Sequence, residues 1–179
     1  MSELVVLLDD DGRPCGQQDK RQVHTKDTPL HLAFSCHVFD ERGRVLITRR
    51  AIGKQTWPGV WTNSVCGHPA PGESMQDAIG RRAAQELGLR LTDIESMLPD
   101  FRYRAVDASG LVENELCPVF GASAVGSVRP DPTEVMDWRW AERSSVRQAV
   151  RAMPFAFSPW LVRQVTESTI YQTREFRGT

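Results

Sequence analysis

The stretch between Pro71-Gly72 and Gly88 constrains this chain most. Ser74 is a good helix N-cap, and Gly88 stands where a left-handed terminator is wanted, so 74–87 reads as a helix. Pro69, Pro71 and Gly72 break the chain just upstream. Arg82 and Glu86 lie four apart and share one face of that helix. Immediately before the breakers come Cys66, Gly67 and His68. Any fold must therefore bring a thiol and an imidazole to the mouth of a well-delimited helix.

A chain of 179 residues with 40% hydrophobic content can bury one sizeable core, which argues for a single domain over 1–179. The net charge of −1 offers no nucleic-acid or membrane surface, and no run is apolar enough to span a bilayer. Residues 1–8 lack the basic start of a signal peptide and read as a strand. The cysteines at 15, 36, 66 and 117 show no paired spacing, so reduced thiols and a cytoplasmic location are expected. Cys36 and Cys117 sit in apolar runs and read as packing residues.

Further strands are expected over 32–39 and 44–48, joined by a hairpin at Glu41-Arg42-Gly43, and over 101–106, 112–122 and 135–140. The segment 60–67 reads as strand or irregular extended chain. One helix is expected from Ser144 or Ser145 to Ala152, and another from Ser158-Pro159 to about Gln172. The sum is α+β, an α/β/α sandwich with a mixed sheet. Beyond about Tyr171 the sequence carries no usable motif.

Glu113 and Glu115 are two apart in a strand and leave the same face, where like charges call for a cation or for solvent. Taken alone, the pair reads as a solvated edge. Cys66 and His68 also share a face if that segment is extended. His24 and His31 flank Thr28-Pro29-Leu30, as a loop curling back would place them, whereas His37 lies inside an apolar strand and reads as structural. A set of three imidazoles and two carboxylates would suit Mn²⁺, Zn²⁺ or Fe²⁺ better than calcium. Lys20, Arg50 and Lys54 are scattered, and each alone reads as a surface charge.

From Gly67 onward the spacing of Glu73, Arg81, Ala83, Glu86, Gly88 and Leu89 resembles the Nudix box, with Arg82 and Gln85 where that box has glutamates. Nudix hydrolases use the carboxylates to bind metal and activate water against a pyrophosphate. A guanidinium at 82 instead favours direct, bidentate contact with a diphosphate. Around this box lie Thr28-Pro29-Leu30-His31-Leu32-Ala33-Phe34, Trp57-Pro58-Gly59-Val60-Trp61-Thr62-Asn63-Ser64, Cys66-Gly67-His68-Pro69, Phe101-Arg102-Tyr103, Glu113-Asn114-Glu115 and Ser158-Pro159-Trp160. Together, over roughly residues 4 to 165, they resemble the type 1 isopentenyl-diphosphate isomerases.

That resemblance implies interconversion of isopentenyl and dimethylallyl diphosphates through a carbocation-like species, for isoprenoid synthesis, with a Nudix-type diphosphate hydrolase as the alternative. It implies that His24, His31, His68, Glu113 and Glu115 hold a divalent metal, Mn²⁺ or Zn²⁺. Glu86 and the Cys66 carbonyl would hold a Mg²⁺ completed by the substrate diphosphate. Cys66 and Glu115 would be the acid–base pair, with Tyr103 hydrogen-bonded near Glu115. Lys20, Arg50, Lys54 and Arg82 would contact the diphosphate, and Trp160 would stabilise the cation through its ring face. Trp57, Trp61 and Phe34 are candidates for an apolar pocket lining. The expected partner is a small-molecule diphosphate, with no nucleic acid or membrane, and the oligomeric state is left open.

Overall fold

The structure is a computed structural model that describes residues 3–172. In chain order the strands are β1 (Leu4–Leu8), β2 (Pro14–Asp19), β3 (His31–Leu32), β4 (Phe34–Phe39), β5 (Val45–Arg50), β6 (Trp61–Thr62), β7 (Val65–Gly67), β8 (Arg90–Leu98), β9 (Arg102–Val106), β10 (Val112–Leu116), β11 (Val119–Val125) and β12 (Val135–Ala141). The helices are α1 (Lys20–Val23), α2 (Met75–Leu87), α3 (Arg143–Ala152) and α4 (Pro159–Glu167).

The strands form two mixed sheets. One has the order β2-β1-β3-β10-β9; the other runs β12-β5-β4-β11-β8, with β6 on β5 and β7 on β4. In the centre of the larger sheet every residue of β4 is buried. Its alternate side chains serve two different cores. Phe34, Cys36 and Val38 pack with Ala78, Ile79 and Leu87 of α2, while Phe39 packs with Val146 of α3 and Leu161 of α4. The larger sheet is thus the middle layer of the expected α/β/α sandwich.

Helix α2 follows the sequence signals closely. Ser74 accepts a hydrogen bond from the Asp77 amide at 3.1 Å, and Gly88 ends the helix at φ 62°. A Cβ on Gly88 would sit 2.9 Å from the Arg129 carbonyl oxygen, so a side chain is excluded by space as well as by conformation.

Several boundaries differ from expectation. The segment 112–122 is two strands, because Pro118 has no N–H to continue a ladder and the chain there crosses from the smaller sheet to the larger one. The last helix stops at Glu167 rather than near Gln172. There the Ser168 hydroxyl turns back onto the Gln164 carbonyl and also accepts the Ile170 amide, so side chain and backbone compete for the same bonds. The 60–67 segment resolves into β6 and β7, and the 32–39 run breaks at Ala33. Three elements were not anticipated. β2 and α1 are built from polar residues with weak intrinsic signals, and β8 is an edge strand with irregular register and a positive φ at Asp93.

Candidate active site

Two sheets supply different walls of one cavity of about 290 Å³. In the smaller sheet, Glu113 and Glu115 of β10 are both buried, not at a solvated edge. Parallel pairing sets His31 of β3 beside Glu115, and antiparallel pairing sets Tyr103 of β9 opposite it. The Tyr103 hydroxyl donates to the second Glu115 oxygen at 2.9 Å. In the larger sheet, β7 brings Cys66, with His68 just after it. Gly67 between them is obligatory, since a Cβ there would lie 2.9 Å from the Arg82 side chain and 3.1 Å from the Phe34 ring.

His24, His31, His68 and Glu115 each offer a ligand atom, and those atoms lie within 4.8 Å of one another. The three rings are 5.1 to 6.0 Å apart. His31 Nδ1 faces the Pro29 carbonyl at 3.0 Å, which leaves Nε2 as the free acceptor pointing at the cluster. His31 Nε2 and His68 Nδ1 are buried with no hydrogen bond among the described residues; His31 Nε2 stands 3.4 Å from Glu115 Oε1, and His68 faces the same oxygen through its other nitrogen, Nε2, at 3.2 Å. Orphaned buried nitrogens beside a carboxylate are what a cation site leaves when only its protein atoms are counted. The donor set of imidazoles and one carboxylate fits a borderline divalent ion. Glu113 stands one step out: its carboxylate meets His24 Nε2 at 2.9 Å and accepts from the Thr56 hydroxyl at 2.6 Å.

The electrostatics suit cation binding. Burial pushes the Glu115 carboxyl up, but contacts with His31 and His68 outweigh it and hold the group well below the usual carboxylate range. Burial drops His68 to about 4, so its ring is neutral and able to ligate. Burial lifts the Cys66 thiol to about 11 despite bonds to Ser35 and Asn63, and it also drives the Tyr103 phenol well above its ordinary range. Both are fully protonated at neutral pH.

Lys20, Arg50, Lys54 and Arg82 all line the same cavity. None is a free surface charge. Lys20 pairs with Glu3 at 2.5 Å, Lys54 with Glu134, and Arg82 with Glu86 and, at 3.5 Å, Glu134. Arg50 donates to the Thr56 carbonyl at 2.8 Å and stands over the Trp160 ring at 5.4 Å. Cys66 lines both the main cavity and a smaller adjoining one, and Glu86 borders only the latter. Arg81 grips Glu73 with two bonds of 2.7 Å and reaches the His68 carbonyl at 3.2 Å, tying the turn before α2 to the helix.

Trp160 is 3% exposed, lines the cavity and donates its ring N–H to Asn63 Oδ1 at 3.0 Å. Trp57 meets it edge-on at 5.5 Å, and Tyr103 lies tilted against it at 5.7 Å. Phe34 belongs instead to the core beneath α2, and neither Trp57 nor Trp61 is among the cavity-lining residues. The aromatic lining comes from Tyr103 and Trp160. His37 lies outside the cluster, hydrogen-bonded to Gln164 and Tyr171. Sequence reading missed Glu3, Thr56, Asn63 and Glu134. Asn63 lay inside a quoted motif, but single acids in irregular chain such as Glu134 carry no local signal.

A NUDIX domain family matches residues 29–161. A protein from Clavibacter michiganensis subsp. michiganensis named isopentenyl-diphosphate Delta-isomerase is 63% identical over 92% of this chain and 84% of its own length. One of the same name from Frankia alni is 62% identical over 93% and 86%. The chain belongs to this isomerase family. Its fold also matches a Deinococcus radiodurans protein with TM-score 0.71 at 16% identity, covering 93% of this chain and 99% of that one. Isomerase relatives at high identity and Nudix neighbours at low identity fit one picture, in which a Nudix framework carries a box with Arg82 and Gln85 in place of acids.

Proposed function

We infer that the protein interconverts isopentenyl diphosphate and dimethylallyl diphosphate. The observation that carries this beyond the family is the replacement of a hydrolytic carboxylate by Arg82, whose guanidinium lines the cavity among three other basic side chains. A diphosphate fits that rim and would take over contacts now made by Glu3 and Glu134. The hydrolase alternative needs acids where Arg82 and Gln85 stand.

Moving the double bond needs a proton added at one carbon and another removed from a second. Cys66 and Glu115 are the proposed pair, reaching one cavity from different sheets. Tyr103 orients Glu115 through its hydroxyl. The Trp160 and Tyr103 rings give the developing carbocation a π-rich wall, worth about 2 kcal/mol where water is excluded. His24, His31, His68 and Glu115, with Glu113 behind His24, would hold one divalent ion, Mn²⁺ or Zn²⁺. That ion would strengthen Glu115 as an acid. Glu86 with the Cys66 carbonyl would hold a Mg²⁺ brought with the diphosphate, which requires Arg82 to loosen its pair with Glu86. No described helix is long and apolar enough to cross a membrane, and work in the cytoplasm on a soluble diphosphate is the proposed setting.

Product analysis tests this. With isopentenyl diphosphate, Mg²⁺ and Mn²⁺, the dimethylallyl isomer should accumulate with no release of phosphate. Phosphate or pyrophosphate without isomer would return the hydrolase.

A further inference from the structure

A buried chain of polar side chains runs from Tyr171 to Cys66. On the face of β4 opposite α2, Ser35 and His37 stand two residues apart, and both are fully buried. Gln164 of α4, equally buried, bridges them: its Oε1 lies 2.9 Å from His37 Nε2 and its Nε2 lies 2.9 Å from the Ser35 hydroxyl. The chain continues at both ends. The Tyr171 hydroxyl is 2.8 Å from His37 Nδ1, and the Ser35 hydroxyl is 3.4 Å from Cys66 Sγ and 3.5 Å from Cys117 Sγ.

The direction of this chain can be deduced from its inner end. A tryptophan ring nitrogen only donates, so Trp160 fixes Asn63 Oδ1 as the acceptor. Asn63 Nδ2 then donates to the Cys36 and Val65 carbonyls, which agrees. Cys66 gives its single hydrogen to the same Asn63 oxygen at 3.2 Å. No hydrogen of Cys66 is left for Ser35, so the Ser35 hydroxyl is placed to donate its one hydrogen to Cys66 Sγ at 3.4 Å or to Cys117 Sγ at 3.5 Å, and its oxygen accepts from the Gln164 amide. Gln164 Oε1 consequently accepts from His37 Nε2–H, and His37 Nδ1 accepts from the Tyr171 hydroxyl. Burial holds His37 near 4, so the ring is neutral and carries its one hydrogen at Nε2.

We propose that Gln164 and Ser35 are positioning residues for Cys66, the inner links of a one-way hydrogen-bond relay that runs Tyr171, His37, Gln164, Ser35 and ends on the thiol sulfur. With Ser35 bonded to one lone pair, the S–H is turned toward Asn63, while Cys66 itself lines the cavity. When the thiol passes its proton to a substrate carbon, the S–H electron pair stays on sulfur, and the Ser35 O–H already bonded there stabilises the thiolate. When sulfur takes a proton back, the same bond keeps the accepting lone pair aimed at the substrate. His37 and Tyr171 act at one remove, by fixing which way the Gln164 amide points. The kinetic half of this proposal rests on Cys66 being an acid–base residue; the structural half does not.

The test combines Gln164→Leu with two spectroscopic readouts. Nitrogen-15 NMR of the wild-type imidazoles should show His37 as the Nε2–H tautomer. The infrared S–H stretch of Cys66, identified as the band lost in Cys66→Ala, should shift in Gln164→Leu. Turnover should drop roughly tenfold with KM unchanged, as loss of one hydrogen bond to the reacting group predicts. If Gln164→Leu does not fold, Tyr171→Phe, which deletes one oxygen, should shift the same band by less. An Nδ1–H tautomer of His37 would reverse the chain and overturn the proposal. So would an unmoved S–H band in a folded Gln164→Leu while Cys66→Ala is inactive. A shifted band together with an active Cys66→Ala would instead sink the acid–base reading of Cys66, and the kinetic half with it.

Discussion

His37 and the trio His24, His31 and His68 are all largely buried imidazoles of one chain, yet they stand in opposite conditions. Both ring nitrogens of His37 are matched, one to Gln164 and one to Tyr171. The trio gathers at two carboxylates, His31 and His68 at Glu115 and His24 at Glu113, and two of its nitrogens have no hydrogen bond among the described residues. A buried polar atom left unbonded costs about 1–3 kcal/mol, so such atoms are retained in a fold only for something that is not protein. Satisfaction, more than burial, separates the imidazole that holds structure from those that hold a ligand.

Removing one imidazole from each group should have opposite consequences. His31→Gln should weaken Mn²⁺ or Zn²⁺ binding, measured by calorimetry, by at least about 100-fold, and turnover should collapse with it. His37→Gln should leave cation affinity where it was. Equal losses in the two variants would erase the distinction.

A smaller effect is expected at the rim, where charges are paired with acids rather than orphaned. Arg82→Lys keeps the charge but loses the planar fork, and kcat/KM should fall about tenfold, chiefly through KM. A lysine that serves equally well would mean that Arg82 touches the diphosphate only as a point charge.

An effect of a different kind concerns stability and should follow pH. Burial drops His37 to about 4, against roughly 6.5 in an unfolded chain. As pH falls, the unfolded state therefore takes up its proton first. The stability tied to a neutral His37 is complete above pH ~6.5 and is lost toward pH ~4, with about 2 kcal/mol lost between pH 7 and pH 5. Urea unfolding at those two pH values should show a shallower loss in His37→Gln than in the parent protein. Parallel slopes would show that His37 is not held neutral by the fold.

Much of this was legible in the sequence because the relevant signals are local. Ser74 and Gly88 delimit a helix by capping and backbone conformation alone, and the two-residue spacing of Glu113 and Glu115 fixes their common face. What was not legible depends on how separate segments meet. Glu113 and Glu115 read alone as a solvated edge, and only the pairing of β10 with β3 and β9 buries them. His37 was rightly read as structural, but the relay through Gln164 joins residues more than a hundred positions apart. Glu134, in irregular chain before β12, becomes a partner of Lys54 and Arg82 only through packing. Pro118 was visible, yet its role as the crossing point between two sheets was not.

In the proposed mechanism, two proton transfers at Cys66 and Glu115 convert one diphosphate isomer into the other. Proton NMR in D₂O, with isopentenyl diphosphate, Mg²⁺ and Mn²⁺, tests it most directly in the parent protein and in Cys66→Ala. The parent should yield dimethylallyl diphosphate carrying deuterium, and the variant should bind substrate as before while yielding none. Deuterated product formed by Cys66→Ala at the parent rate would contradict the claim.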